Sequence, residues 1–386
     1  MNLPQTSYDV IIIGSGPAGC ACALALYNSN LRVALIDKEA FPRDKICGDA
    51  IPGQTLKAID LINPDWGKAL REFRERADIQ SSKIFAPNGK TITLNWKMLA
   101  YNSKRIDFDN FLTSLVKNET STAFLENKRL QQIKIENDQV ICDLQGGGTI
   151  RAAVIIGCDG ANSIVERQTR QDNVTKANLS AAVRAYFSGV EGIETGVNEF
   201  HLFDELPGYF WIFPLENGFT NVGFGVSGND IKKSGNAVNL RNSLSEIIKD
   251  YPGISNRFKK ADMHGEIKGF GLPVWKNKKS LSGHRYMLCG DAASLIDPLQ
   301  GHGIDKAVWS GFFAANQAIK CFKVNNFSAS YMREYDKALY EKIGFELARS
   351  LFILKLITKY PGLISLFARL GSNKKIISWI TQRLKI

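Results

Sequence analysis

The chain is poor in histidine, with only His201, His264, His284 and His302, and these are scattered. Its seven cysteines (Cys20, Cys22, Cys47, Cys142, Cys158, Cys289 and Cys321) are odd in number, scattered and without a Cys-X-X-Cys pair. That argues against a metal centre, a zinc site or a disulfide scaffold and suits reduced thiols in a cytoplasm. No stretch of eighteen apolar residues is free of charge, so no transmembrane helix is expected. The first residues carry neither a basic segment nor a cleavage site, so no secretion signal is read and a cytoplasmic location is expected. The net charge is +11, yet no basic stripe with interleaved aromatics occurs, which sets nucleic acid aside as a partner. No internal repeat is visible.

Acidic residues are missing altogether after Glu346, where Arg349, Lys355, Lys359, Arg369, Lys374, Lys375, Arg383 and Lys385 stand among apolar residues. Ile376, Ile377, Ile380 and Leu384 form a helical stripe opposite Lys374 and Lys385. Two readings stand: peripheral contact with an anionic membrane surface, or a helical cap that packs inward and keeps a solvated basic face.

What is present in abundance is glycine, arranged in three patterns. Tyr8 to Ile13 reads as a strand buried on both faces, and Gly14-Ser15-Gly16-Pro17-Ala18-Gly19 follows at once. The first glycine permits a tight turn, the second lets the backbone approach a pyrophosphate, and the third lets a helix over about Gly16–Asn28 pack on the strand. A second strand, Leu31 to Ile36, ends at Asp37, placed to accept hydrogen bonds from ribose hydroxyls. Ala153 to Gly157 reads as another buried strand, and Cys158-Asp159-Gly160 follows as either a cofactor contact or a plain turn. Arg285 to Cys289 precedes Gly290-Asp291-Ala292, with Asp297-Pro298-Leu299-Gln300-Gly301-His302-Gly303 behind it and a helix expected from about Ile304 to Lys320. Asp291 can accept a bond from a ribityl hydroxyl. The helix start after Gly303 would aim its positive end at a reduced flavin's negative charge. His302, between two glycines, reads as acid or base or simply as loop.

These residues resemble the flavoproteins of the para-hydroxybenzoate hydroxylase fold, and within them the geranylgeranyl reductases. Gly14 to Gly19 and Asp37 match the adenosine and pyrophosphate site, Asp159-Gly160 the middle motif, and Gly290-Asp291 with Pro298, Gly301 and Gly303 the distal motif. Arg105 matches an arginine that heads a helix and approaches the FAD phosphates. Pro42-Arg43-Asp44-Lys45-Ile46-Cys47-Gly48 resembles the reductases' Cys-Gly segment near the flavin ring, though Asp49 stands where they often carry a second glycine. Gly208 to Pro214 resembles their YxWxFP motif. At strand period, Tyr209, Trp211 and Phe213 share one face, and Phe224 on the next strand joins them across a turn at Glu216-Asn217-Gly218. From pattern alone this is a substrate wall or an ordinary sheet core; the resemblance implies the wall.

The expected fold is α/β (α+β overall): an FAD-binding Rossmann-like βαβ domain with an inserted antiparallel-sheet substrate domain and C-terminal helices. The FAD domain takes 1–75, 100–175 and 275–330, the substrate domain 76–99 and 176–274, and the helical cap 331–386. Gly146-Gly147-Gly148 reads as a hairpin turn between Val140–Leu144 and Thr149–Ile156. The implied cofactor set adds Lys38, Lys45, Cys47, Gly48, His302 and Ile304 to the residues above. Cys47 is expected nearest the reacting centre, or else is a small buried residue. The resemblance implies an FAD-dependent reductase of isoprenoid or lipid-like double bonds, with NAD(P)H or ferredoxin as donor. An oxygen-dependent monooxygenase or halogenase and a non-catalytic flavin-bearing carrier are the alternatives.

Overall fold

The computed structural model describes residues 7–170, 180–204, 206, 208–228, 239–360 and 362–370. The stripe Ile376 to Leu384 lies outside the described residues.

Val10–Ile13 is buried along its whole length and pairs in parallel with Val33–Ile36 on one side and Val154–Gly157 on the other. β-Branched residues with no polar face belong in such a two-sided position, where each buried side chain contributes about 1.5–3 kcal/mol. Ala123–Leu125 and Tyr286–Leu288 extend this sheet in parallel, and Ser282–Gly283 closes one edge antiparallel. The helix Pro17–Ala25 crosses the long helix Ile304–Val324 closely. A Cβ on Gly311 would stand 2.1 Å from the Ala18 carbonyl oxygen, so only glycine permits that approach. Residues almost three hundred apart in sequence are thereby fixed side by side.

A second sheet has eight strands in the order Asp262–Leu272, Ser180–Ser188, Phe219–Val226, Tyr209–Pro214, Val197–His201, Ala77–Phe85, Thr91–Asn102 and Ala50–Ile51. All its pairs are antiparallel except Val197–His201 with Ala77–Phe85, where two separate chain segments meet. One face buries Val183, Phe187, Phe210, Ile212, Val222 and Phe224 against Leu244 and Ile247 of the helix Leu240–Asp250. The other face turns toward the first sheet's loops. Asp262–Leu272 was not legible as a strand because it is an exposed edge without apolar alternation.

The glycine triplet at 146–148 does close a hairpin, with all three residues at positive φ. The run after it is two strands, not one: Thr149–Ala152 stays in the hairpin's three-stranded sheet, whereas Val154–Gly157 enters the parallel sheet. Arg105 heads the helix Arg105–Glu119 as expected. The expected C-terminal helices include Ala329–Lys359 and Gly362–Leu370.

Candidate active site

The three glycine patterns converge at one end of the parallel sheet. Ile13 is the register partner of Gly157, so the turns after both strands emerge together. Gly14 has φ +94°, and a Cβ there would lie 2.4 Å from the Cys158 carbonyl oxygen. A Cβ on Gly19 would lie 1.8 Å from the Gly14 oxygen. Gly16 is different: its Cβ would meet only Arg43 Nη2, at 3.8 Å, leaving open space beside the N-terminus of Pro17–Ala25. An open backbone facing a helix N-terminus and an arginine fits a pyrophosphate. The distal pattern closes this cradle, because Gly290 packs on the Ala18 Cβ and Gly303 stands beside Asp291 Oδ1.

Charges line the cradle. Arg43 Nη1 donates to Asp109 Oδ2 at 2.7 Å, and Arg105 grips both Asp109 oxygens at 2.7 and 2.8 Å. Lys45 Nζ donates to Asp291 Oδ2 at 3.0 Å. Arg43, 17% exposed and beside Gly16, is the cation placed to meet an anionic ligand there. Burial works against the Asp109 anion, but Arg105, then Arg43 and Lys45, hold its carboxyl below the usual range. Arg105 is itself buried against Asp109 and Cys47, whereas Arg43 is the side chain within reach of Gly16. The arginine beside Gly16 is therefore Arg43 rather than Arg105. An acid four residues after Arg105 was the signal for this helical ion pair.

The acidic residues of the first two patterns hold their own loops. Asp37 Oδ2 accepts from the Ser15 amide at 2.7 Å and its hydroxyl at 2.8 Å, and Oδ1 accepts from the Glu39 amide at 2.9 Å. Oδ2 is thereby filled, and Oδ1 retains one acceptor site for a ribose hydroxyl. Lys38 points to solvent, 3.8 Å from Glu39. Asp159 accepts from the Ser163 hydroxyl at 2.5 Å and from the Ile164 and Val165 amides at 2.6 and 3.2 Å, so it caps the helix Ile164–Thr169, with Gly160 beside it at φ +79°.

Residues 43–49 run along the whole cradle. Arg43 sits by Gly16, Lys45 bonds Asp291, and a Cβ on Gly48 would touch Phe213 and Trp211 at 3.5 and 3.7 Å. The half-buried Cys47 lies between Arg105 and this aromatic face, and its carbonyl accepts from Asn221 Nδ2 at 2.9 Å. The two segments that carry the closest resemblance thus meet in space.

Tyr209, Trp211 and Phe213 share the face toward Cys47–Gly48, with ring centroids about 6 Å apart in sequence order, at 5.9 and 6.0 Å. Phe224 does not join them. It pairs with Phe210 and points into the opposite core, because the Glu216–Gly218 turn sets Phe213 opposite Asn221 and Trp211 opposite Gly223. One residue of register decides the face. Phe200 takes the expected place, 5.7 Å from Tyr209 and 5.1 Å from Phe213. Gly223 makes room for the indole, since a Cβ there would lie 2.2 Å from Trp211 Cζ2.

The distal turn is pinned to both sheets. The Tyr209 hydroxyl donates to the Gln300 carbonyl at 3.0 Å, and a Cβ on Gly301 would crowd that hydroxyl at 2.7 Å. Asp297, just before Pro298, accepts from the Leu299 and Gln300 amides at 2.9 Å each. His302 Nδ1 lies 3.2 Å from Asp305 Oδ1, and the buried Lys306 bridges Asp305 and Glu346 at 2.6 and 2.7 Å. Burial opposes the His302 cation, but the Asp305 charge and hydrogen bond outweigh it and raise the imidazole's pKa. Ligand atoms of Asp297, His302 and Glu346 come within 4.8 Å of one another, and Lys306 already supplies positive charge there. Ile304 begins the helix behind this turn, buried against the core.

The profile of the family described as FAD binding domain matches residues 7–317, which takes in all three patterns and the sheet between them. The chain belongs to this FAD-binding family. It is similar to the digeranylgeranylglycerophospholipid reductase of Methanoculleus marisnigri, 28% identical over 348 residues, 86% of this chain and 81% of that protein. The enzyme of the same name from Thermoplasma acidophilum is 29% identical over 354 residues, 87% of this chain and 84% of its own length. Among solved structures, a geranylgeranyl bacteriochlorophyll reductase-like protein from Thermoplasma acidophilum superposes with TM-score 0.83 at 25% identity, covering 95% of this chain and 92% of that one. A flavin-dependent brominase (TM-score 0.75, 20% identity, 98% and 93% covered) shares the fold. The FAD-binding chain is an oxidoreductase that resembles the geranylgeranyl reductases, and the cradle fits FAD through its open Gly16, the N-terminus of Pro17–Ala25 and the arginine beside them. No helix among the described residues is long and apolar enough to cross a membrane.

Proposed function

We propose that this FAD-dependent oxidoreductase reduces carbon–carbon double bonds of an isoprenoid lipid. The observation that carries the reading is the contact of Cys47–Gly48 with Trp211 and Phe213, which sets an aromatic face against the cofactor segment. An extended apolar chain gains dispersion contacts along such a face, and the names of the similar archaeal reductases point to the same substrate class. When bound, reduced FAD supplies the hydride. Arg43, Lys45, Asp37 and Asp291 hold the cofactor; Tyr209, Trp211, Phe213 and Phe200 orient the substrate and exclude water; Cys47 lies nearest the reacting bond. NAD(P)H or ferredoxin serves as donor.

The same reading places the protein in the cytoplasm, peripheral at an anionic membrane surface. Phe345 and Phe352, two turns apart on Ala329–Lys359, are 75% and 66% exposed, and every charged residue after Glu346 is basic.

The test is anaerobic. Protein with chemically reduced flavin is mixed with a geranylgeranyl-bearing lipid, and flavin absorbance and product saturation are followed together. Reoxidation with matching loss of double bonds supports the reading. An absolute requirement for oxygen would replace it with monooxygenase or halogenase chemistry, and no reoxidation by any prenyl lipid would leave a carrier.

A further inference from the structure

The aromatic face does not end at Phe200. Trp211 is the register partner of Phe200, Phe200 of Ile84, and Ile84 of Ile92, so four adjacent strands each turn one apolar side chain to the same side. Strands stand about 4.8 Å apart, which makes this row about 14 Å long from Trp211 to Ile92. Leu94 and Trp96 follow Ile92 at strand period. All three are half-buried, whereas Thr91, Thr93, Asn95 and Lys97 between and beside them are exposed. Such alternation belongs to a strand with one covered face. Yet Phe200, Ile84, Ile92, Leu94 and Trp96 belong to neither hydrophobic core, and nor do Trp211 and Phe213.

In the other direction the same row turns polar. Gly223 is the partner of Trp211, Arg184 of Gly223, and Lys268 of Arg184. From Trp211 toward Ile92 the row carries no charged side chain. A ligand lying across the sheet therefore meets cations at one end and hydrocarbon at the other.

We propose that Ile84, Ile92, Leu94 and Trp96 form a track for the tail of the substrate's prenyl chain, which gives the enzyme its preference for long chains. The proposal rests on the reductase reading above. A chain whose reacting bond lies against Trp211 and Phe213 must place its remaining isoprene units elsewhere. The continuous apolar face leads them over Phe200 onto Ile84 and Ile92, while the polar head stays on the Arg184 side. The chain displaces water from half-exposed apolar side chains, and each further isoprene unit adds to that gain. Ile84 stands midway between Phe200 and Ile92, so its bulk decides how far a chain can run.

The test pairs photolabelling with chain-length selectivity. A geranylgeranyl lipid carrying a diazirine at its tail end is bound to the FAD-loaded protein and photolysed, and the adduct is mapped by mass spectrometry. The label should fall on Ile84 or on the Ile92 to Trp96 segment, and excess unlabelled lipid should remove it. Ile84→Trp should lower kcat/KM for a geranylgeranyl lipid, relative to a farnesyl one, by about tenfold or more. Thr93→Trp, on the exposed side of the same strand, should leave that ratio unchanged. Flavin content and circular dichroism check that both variants are folded; should Ile84→Trp fail to fold, the label on the wild type decides. An adduct confined to other strands, or a chain-length ratio unaltered in folded Ile84→Trp, overturns the proposal. A wild type that no prenyl lipid reoxidises refutes the reductase reading, while the position of the label still decides whether the track holds a prenyl tail.

Discussion

Asp49 is fully buried, with Oδ2 accepting from the Tyr186 hydroxyl at 2.8 Å and from Asn221 Nδ2 at 2.9 Å, and that burial has a consequence for stability. Burial pushes its carboxyl up to about 6 in the folded protein, against the ordinary aspartate value of about 3.9 in the unfolded chain. Below about pH 4 both states hold the proton and the group contributes no pH dependence. As pH rises from 4 toward 6 the unfolded chain releases it first, so folding stability is lost; above the folded value the loss is complete. A difference of about 2 units at about 1.4 kcal/mol each gives about 3 kcal/mol, undiminished by solvent because the group has no exposure. Asp49→Asn abolishes the titration while preserving the hydrogen-bonded oxygen. Urea unfolding of both proteins at matched FAD, from pH 4.5 to 7.5, should show Asp49→Asn gaining on the wild type by about 2–3 kcal/mol as pH rises. Taking the difference cancels the other titrating groups. A flat difference, or one of opposite sign, would show that Asp49 is ionised throughout and would refute the reasoning.

The purified protein should be yellow, and Asp291→Ala should lower retained FAD by freeing Lys45 and removing an acceptor from the cradle; unchanged flavin content on gel filtration would count against that role. Gly223→Ala should displace the Trp211 indole and cost about 1–3 kcal/mol by overpacking; tryptophan fluorescence and urea unfolding read the two effects, and FAD content should hold. Phe345→Ser with Phe352→Ser should weaken co-sedimentation with phosphatidylglycerol vesicles, which equal binding by both proteins would contradict. Lys306→Met should destabilise by about 3–5 kcal/mol, because it strands the buried Asp305 without its cation; thermal unfolding checks it.

Much of the cofactor cradle was legible in sequence because its constraints are local. Gly14 must turn, Gly19 must let a helix approach, and a β-branched run such as Val10–Ile13 suits a strand buried on both sides. Those demands fall on consecutive residues, so they leave a pattern. The hairpin at Glu216–Gly218 was legible for the same reason, and so was the shared face of Tyr209, Trp211 and Phe213. Phe224 was misplaced because alternation fixes a face only within one strand. Across a turn the face depends on register, which the turn's backbone sets.

The sequence by itself determined the cofactor class, the order of the three patterns and the two segments, 42–48 and 208–214, that meet in the fold. Only the tertiary structure decided which charges pair. Arg43 rather than Arg105 stands beside Gly16, Lys45 reaches a carboxylate 246 positions away, and Phe200 completes the aromatic face. It also decided the state of Asp49. Nothing local marks that residue as protonatable near neutrality, since its pKa depends on how thoroughly strands distant in sequence exclude water and on cations held by other partners. Long-range electrostatics and desolvation are sums over space, and a sequence fixes them only through the fold.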